Sequence, residues 1–121
     1  MARREGVEVV LAEPSGIVVP FELRNAIRVT SRGSIVIEPG PVVLLLNGEF
    51  PEASFAEGVG RITELQAAES DLIVITKLDR AAAEGAAALK ERIRALAPET
   101  ALLEVSFLSG EGTAGLLAAV L

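Results

Sequence analysis

Three short clusters hold the residues able to do chemistry, and each directly follows an aliphatic run. Thr76-Lys77-Leu78-Asp79 comes after Leu72 to Ile75. Glu13-Pro14-Ser15-Gly16 comes after Val7 to Ala12, and Ser106-Phe107-Leu108-Ser109-Gly110 ends the run that begins at Leu102. An aspartate held at a strand end accepts two hydrogen bonds from a planar, amidine-like edge, of which guanine's is one. A lysine beside it can lay its methylenes on a flat ring while its ammonium stays wet. The same four residues also suit a solvated turn behind a buried strand.

Other chemistries are closed by composition. The sequence contains no Cys and no His. Disulfides, thiolate zinc sites and imidazole catalysis are therefore excluded, and soft transition metals have no natural ligands here. The 121 residues carry 17 acidic and 11 basic side chains, net −6. That balance argues against broad binding to nucleic acid or anionic membranes, which needs a positive surface. The four aromatic residues are all Phe, so no stacking platform for single strands is available. Half the residues are apolar, enough for a core and against disorder. Runs such as Val42 to Leu46 fall far short of the about 20 residues a spanning helix needs. No apolar segment follows Met1-Ala2-Arg3-Arg4, so the expected location is cytoplasmic.

Gly110-Glu111-Gly112-Thr113-Ala114-Gly115 matches a dinucleotide fingerprint after a strand. No second strand or acidic partner about 20 positions further on follows it, which favours a plain tight turn into a last helix. Arg24 and Arg28 stand one helical turn apart and could meet a phosphate, although surface pairing is the commoner use. Glu49, Glu52 and Glu57 read as loop or helix-start charges. Glu84, Lys90, Glu91, Arg92 and Arg94 read as a solvated helix face.

The elements that must position the clusters alternate in type. Strands are expected at Val7–Ala12, Ile35–Ile37, Val42–Leu46, Leu72–Ile75 and Leu102–Leu108. Pro20 suits a first helical turn, and Leu23 and Ile27 give that helix an apolar face. Further helices are expected at Ala53–Glu69, Ala81–Leu96 and Thr113–Leu121. Strands without alternation, separated by helices, imply a single α/β domain over residues 1–121 with a mostly parallel sheet of four or five strands. In such sheets ligands bind at the carboxyl ends of the strands. The fold rule therefore expects Glu13, Asp79 and Ser106 along one rim.

The clusters also carry a family resemblance. Asp71-Leu72-Ile73-Val74-Ile75-Thr76-Lys77-Leu78-Asp79 resembles the guanine-specificity segment of GTPases, (Asn/Thr)-Lys-x-Asp after an aliphatic strand. Val105-Ser106-Phe107-Leu108-Ser109-Gly110-Glu111-Gly112 resembles their second base-contacting loop, Ser-Ala-x-x-Gly. Glu13-Pro14-Ser15-Gly16 resembles the Glu-x-x-Gly of the CobW/HypB/UreG metallochaperone GTPases, as does the lead-in from Gln66 to Asp71. The resemblance spans nearly the whole chain but only the second half of such a GTPase, a P-loop fold without its first strand and P-loop.

The resemblance implies GTP or GDP with magnesium as ligand. Asp79 would hold guanine N1 and N2 hydrogens, Lys77 would cover the ring and Thr76 would brace the loop. Ser106 and the N–H groups of Phe107 and Leu108 would face guanine O6, with Phe107 standing where Ala is usual. Glu13 would bind magnesium through water or orient the attacking water, and the Gly16 N–H would face the γ-phosphate. A role in maturing metal or corrinoid enzymes is also implied.

One motif of the family has no counterpart. The phosphate cradle Gly-x-x-x-x-Gly-Lys-(Ser/Thr) needs a lysine before Ser or Thr, but Lys77 precedes Leu78 and Lys90 precedes Glu91. Hydrolysis by this chain alone is not expected. The family arrangement puts the cradle's strand between the Glu-x-x-Gly strand and Val42–Leu46. The expected partner is accordingly a second copy of the chain or a separate chain supplying the P-loop half, unless the two flanking strands close up directly. A competing expectation is a non-catalytic assembly subunit that keeps the fold without the nucleotide.

Overall fold

A computed structural model describes residues 9–30, 33 and 36–121. The elements in chain order are α1 (Pro20–Thr30), β1 (Val43–Asn47), a 3-10 turn (Pro51–Phe55), α2 (Gly60–Glu69), β2 (Leu72–Thr76), α3 (Ala83–Leu96), β3 (Ala101–Glu104) and α4 (Thr113–Val120). The three strands form one parallel sheet in the order β1-β2-β3. Val43 pairs with Leu72, and Leu72 with Ala101, so the strands start level.

The central strand explains the layering. Leu72, Ile73, Val74 and Ile75 are all buried, as expected of a strand covered on both faces. Ile73 and Ile75 pack with Leu46 and with Ala67 of α2 and Leu89 and Ile93 of α3. Leu72 and Val74 pack on the opposite side with Val105, against Leu116 and Val120 of α4. Each fully buried aliphatic side chain contributes about 1.5–3 kcal/mol. Alternate residues of one five-residue strand thus tie both helical layers to the sheet.

The expected α/β class and parallel sheet are present, but among the described residues the sheet has three strands rather than four or five. Val9 to Ala12 are coil, with Val9, Val10 and Leu11 exposed. Val7 and Glu8 lie outside the described residues, as does Ile35, while Val36 and Ile37 are coil. A strand needs a ladder partner, and no described strand neighbours β1 on its outer side. Residues 9–12 therefore do not close up on β1. Leu45 of β1 is 56% exposed although Leu46 beside it is 4% exposed. The layer on Leu45's side rests on α4, whose eight residues span only about 12 Å.

The single helix expected over Ala53–Glu69 is divided. The 3-10 turn ends at Phe55, Ala56 is extended, and α2 begins at Gly60. The break lets Phe55 fold back onto the core, where Arg92 of α3 lies 3.8 Å over its ring.

Candidate functional site

The loops after β2 and β3 meet at the carboxyl edge of the sheet. Pairing continues just past β3, where the Val105 N–H donates to the Ile75 carbonyl at 2.8 Å and the Leu78 N–H donates to the Val105 carbonyl at 3.2 Å. This lock carries Ser106 beside Asp79. The Ser106 hydroxyl, fully buried, donates to Asp79 Oδ1 at 2.6 Å. Its oxygen in turn accepts the Ser109 N–H at 3.2 Å. A carboxylate has about four lone-pair directions, so Asp79 keeps acceptor capacity for a ligand. Its Oδ2 lies 3.9 Å from Arg80 Nε, and its side chain is 24% exposed.

The loop after β3 is a compact turn. The Gly110 N–H donates to the Ser106 carbonyl, and the Ser106 N–H to the Glu111 carbonyl. Among the described residues no hydrogen-bond acceptor faces the N–H groups of Phe107 and Leu108, whose side chains are exposed. Two free donors beside an oriented carboxylate suit a ligand edge that presents both a carbonyl and N–H groups.

Lys77 is the only described non-glycine residue with positive φ, at 57°. That conformation costs an ordinary residue about 1–2 kcal/mol, and the surrounding bonds hold it. The Lys77 carbonyl accepts the Arg80 N–H at 2.9 Å. Thr76, the residue before, donates its hydroxyl to the Leu46 carbonyl of β1 at 3.1 Å. The Thr76 hydroxyl thus ties the end of β2 to β1.

The end of β1 also reaches this edge. The Gly48 N–H donates to the Thr76 carbonyl at 3.0 Å. A Cβ on Gly48 would stand 2.7 Å from that oxygen, so only glycine allows the approach. Glu49 follows, and its Oε2 lies 3.8 Å from Lys77 Nζ. By sequence alone Glu49 reads as a loop charge. The available signal was its place after a third aliphatic strand, the edge where open parallel sheets bind ligands.

Glu13 and Gly16 are placed elsewhere. Gln66, in the last turns of α2, donates to the Gly16 and Val18 carbonyls at 2.9 and 3.0 Å. The Phe21 N–H donates to Glu69, and Arg24 pairs with Asp71 at 2.7 Å. These anchors sit at the end of α2 and the start of β2, the amino edge of the sheet. Glu13, three residues before Gly16, is exposed coil with no hydrogen bond to Asp79 or Ser106. The shared rim expected of Glu13, Asp79 and Ser106 therefore holds for the last two only. The physical reason is the unpaired stretch 9–12: without a ladder, polar anchors position the segment. Arg24 is committed to Asp71.

The fingerprint-like glycines serve the turn into α4. Gly112 caps that helix at φ 77°, and a Cβ there would collide with the Glu104 carbonyl. The Thr113 hydroxyl donates to the Gly110 carbonyl at 2.7 Å. Among the described residues no group of three or more carboxylates converges.

The loops after β2 and β3 meet at the carboxyl edge of a parallel α/β sheet, the edge where such sheets bind ligands. The profile of the CobW/HypB/UreG nucleotide-binding domain matches residues 1–104, and the chain belongs to that family. No curated protein matches the chain. Among the described residues no helix is long and apolar enough to cross a membrane.

Proposed function

We propose that this chain supplies the guanine-recognising half of a nucleotide site. The observation that carries the reading is the 2.6 Å bond from Ser106 to Asp79, which joins two loops 27 positions apart into one recognition edge. Asp79 accepts the N1 and N2 hydrogens of guanine. The Phe107 and Leu108 N–H groups donate to O6, and the Lys77 stem covers the ring. Recognition by an oriented carboxylate discriminates, because a base lacking the matching donors leaves it unpaired.

The phosphates and any magnesium belong to a cradle outside these residues, contributed by a separate P-loop-bearing chain, while a second copy can supply only a strand or edge. A strand laid on the free edge of β1 would give residues 9–12 a neighbour to pair with, and with it a route for Glu13 and Gly16 toward the phosphates. Hydrolysis then needs the assembled site. Without Cys or His, the chain offers no soft-metal ligands of its own, and no client metal is assigned.

Calorimetric titration with GTP, GDP and ATP in the presence of magnesium tests the reading. Heat with the guanine nucleotides and none with ATP supports it. Absence of heat with all three supports a non-catalytic assembly subunit, a reading favoured by the exposed Leu45 and Val9 to Leu11.

A further inference from the structure

Lys77 combines a strained backbone with a directed side chain. Its φ of 57° sets it apart from every other described non-glycine residue, and such outliers persist where the surroundings over-determine them, often at ligand sites. Two carboxylates, Glu49 and Asp79, stand at the same sheet edge as its ammonium. It sits with Glu49 at 3.8 Å, while Asp79 is met by the Ser106 hydroxyl and by Arg80. Glu49 is itself fixed. Its N–H donates to Asn47 Oδ1 at 3.0 Å, and Gly48 before it is seated against Thr76. Its side chain is 24% exposed, against 50% for Lys77.

We propose that Glu49 is the positioning residue for Lys77. It draws the ammonium toward the end of β1, which keeps that charge off Asp79 and leaves the four-carbon stem as a wall for a flat base. An ammonium two residues from Asp79 would otherwise compete with the ligand for the same carboxylate oxygens. This assignment rests on the guanine-recognition reading and adds to it a determinant on a third strand, with Asn47 and Gly48 as its mount.

The test is a double-mutant cycle on GDP affinity with Glu49→Gln and Lys77→Met, where Met keeps an apolar stem without the charge. Glu49→Gln should weaken GDP binding about two- to fivefold, the range of a half-exposed ion pair. The same change should be silent in the Lys77→Met chain, and its effect should shrink at about 1 M salt, where screening acts within about 3 Å. Urea midpoints should match throughout. Unchanged affinity in Glu49→Gln overturns the assignment, as does an equal loss in the Lys77→Met background, or a Lys77→Met chain that binds no GDP. A wild-type chain that does not prefer GDP to ADP overturns instead the guanine reading beneath it.

Discussion

Ser106 donates its buried hydroxyl to Asp79 Oδ1 at 2.6 Å, fixing the carboxylate at the end of one strand from the loop after its neighbour. The bond exists because β2 and β3 run parallel and in register, so that both loops leave the sheet at the same edge. A hydroxyl is required, since the same oxygen also accepts the Ser109 N–H that shapes the second loop.

Ser106→Ala removes both bonds without adding bulk. Losing a side-chain hydrogen bond of this kind lowers stability by about 1 kcal/mol, read as a lower urea midpoint. Guanine affinity should fall as well, because Asp79 is no longer oriented. A variant with unaltered affinity would show that Asp79 needs no such orientation.

Asp71 tests the placement of the segment between Gly16 and Arg24. Its Oδ2 accepts the Val42 N–H and the Arg24 guanidinium, each at 2.7 Å. Asp71→Ala should cost about 1 kcal/mol, and amides of α1 should exchange faster while those of β2 stay protected. Unchanged protection of α1 would mean that the amino-edge anchors do not hold it.

Among the described residues no strand pairs with the outer edge of β1, which bears on assembly. Exposed aliphatic edges pair with other strands unless charged. Analytical ultracentrifugation of the wild-type chain should give a mass above one chain that rises with concentration. Leu45→Lys, at a residue 56% exposed, should weaken that association about tenfold, since burying the exposed half of a leucine is worth about 1–1.5 kcal/mol. A strictly monomeric wild type would remove the copy-to-copy arrangement and leave a separate chain as the partner.

The sequence made the sheet's centre legible because Leu72 to Ile75 are aliphatic without alternation and lead directly into Thr-Lys-x-Asp. The α3 helix was equally plain, since Leu89 and Ile93 repeat at helical spacing and both are buried. What misled was local hydrophobicity without a partner. Val9 to Leu11 have strand composition, yet a strand is a pairing, and among the described residues none is offered. That single gap also moved Glu13 and Gly16 away from the predicted rim. The division of Ala53–Glu69 was hidden because Phe55 continues the apolar spacing of α2 although it belongs to a separate turn. Glu49 was illegible because its meaning lies in a through-space approach to Lys77, set by Gly48 and the register of β1 on β2.

The most direct test of guanine recognition exchanges donors and acceptors at Asp79. Xanthine carries a carbonyl where guanine carries its exocyclic amine, and an Asn side chain can donate where Asp only accepts. Titration of Asp79→Asn with GDP and with xanthosine diphosphate should show GDP weakened by about tenfold or more and the xanthine nucleotide strengthened relative to wild type. Equal affinities of the wild-type and Asp79→Asn chains for both nucleotides would contradict the account.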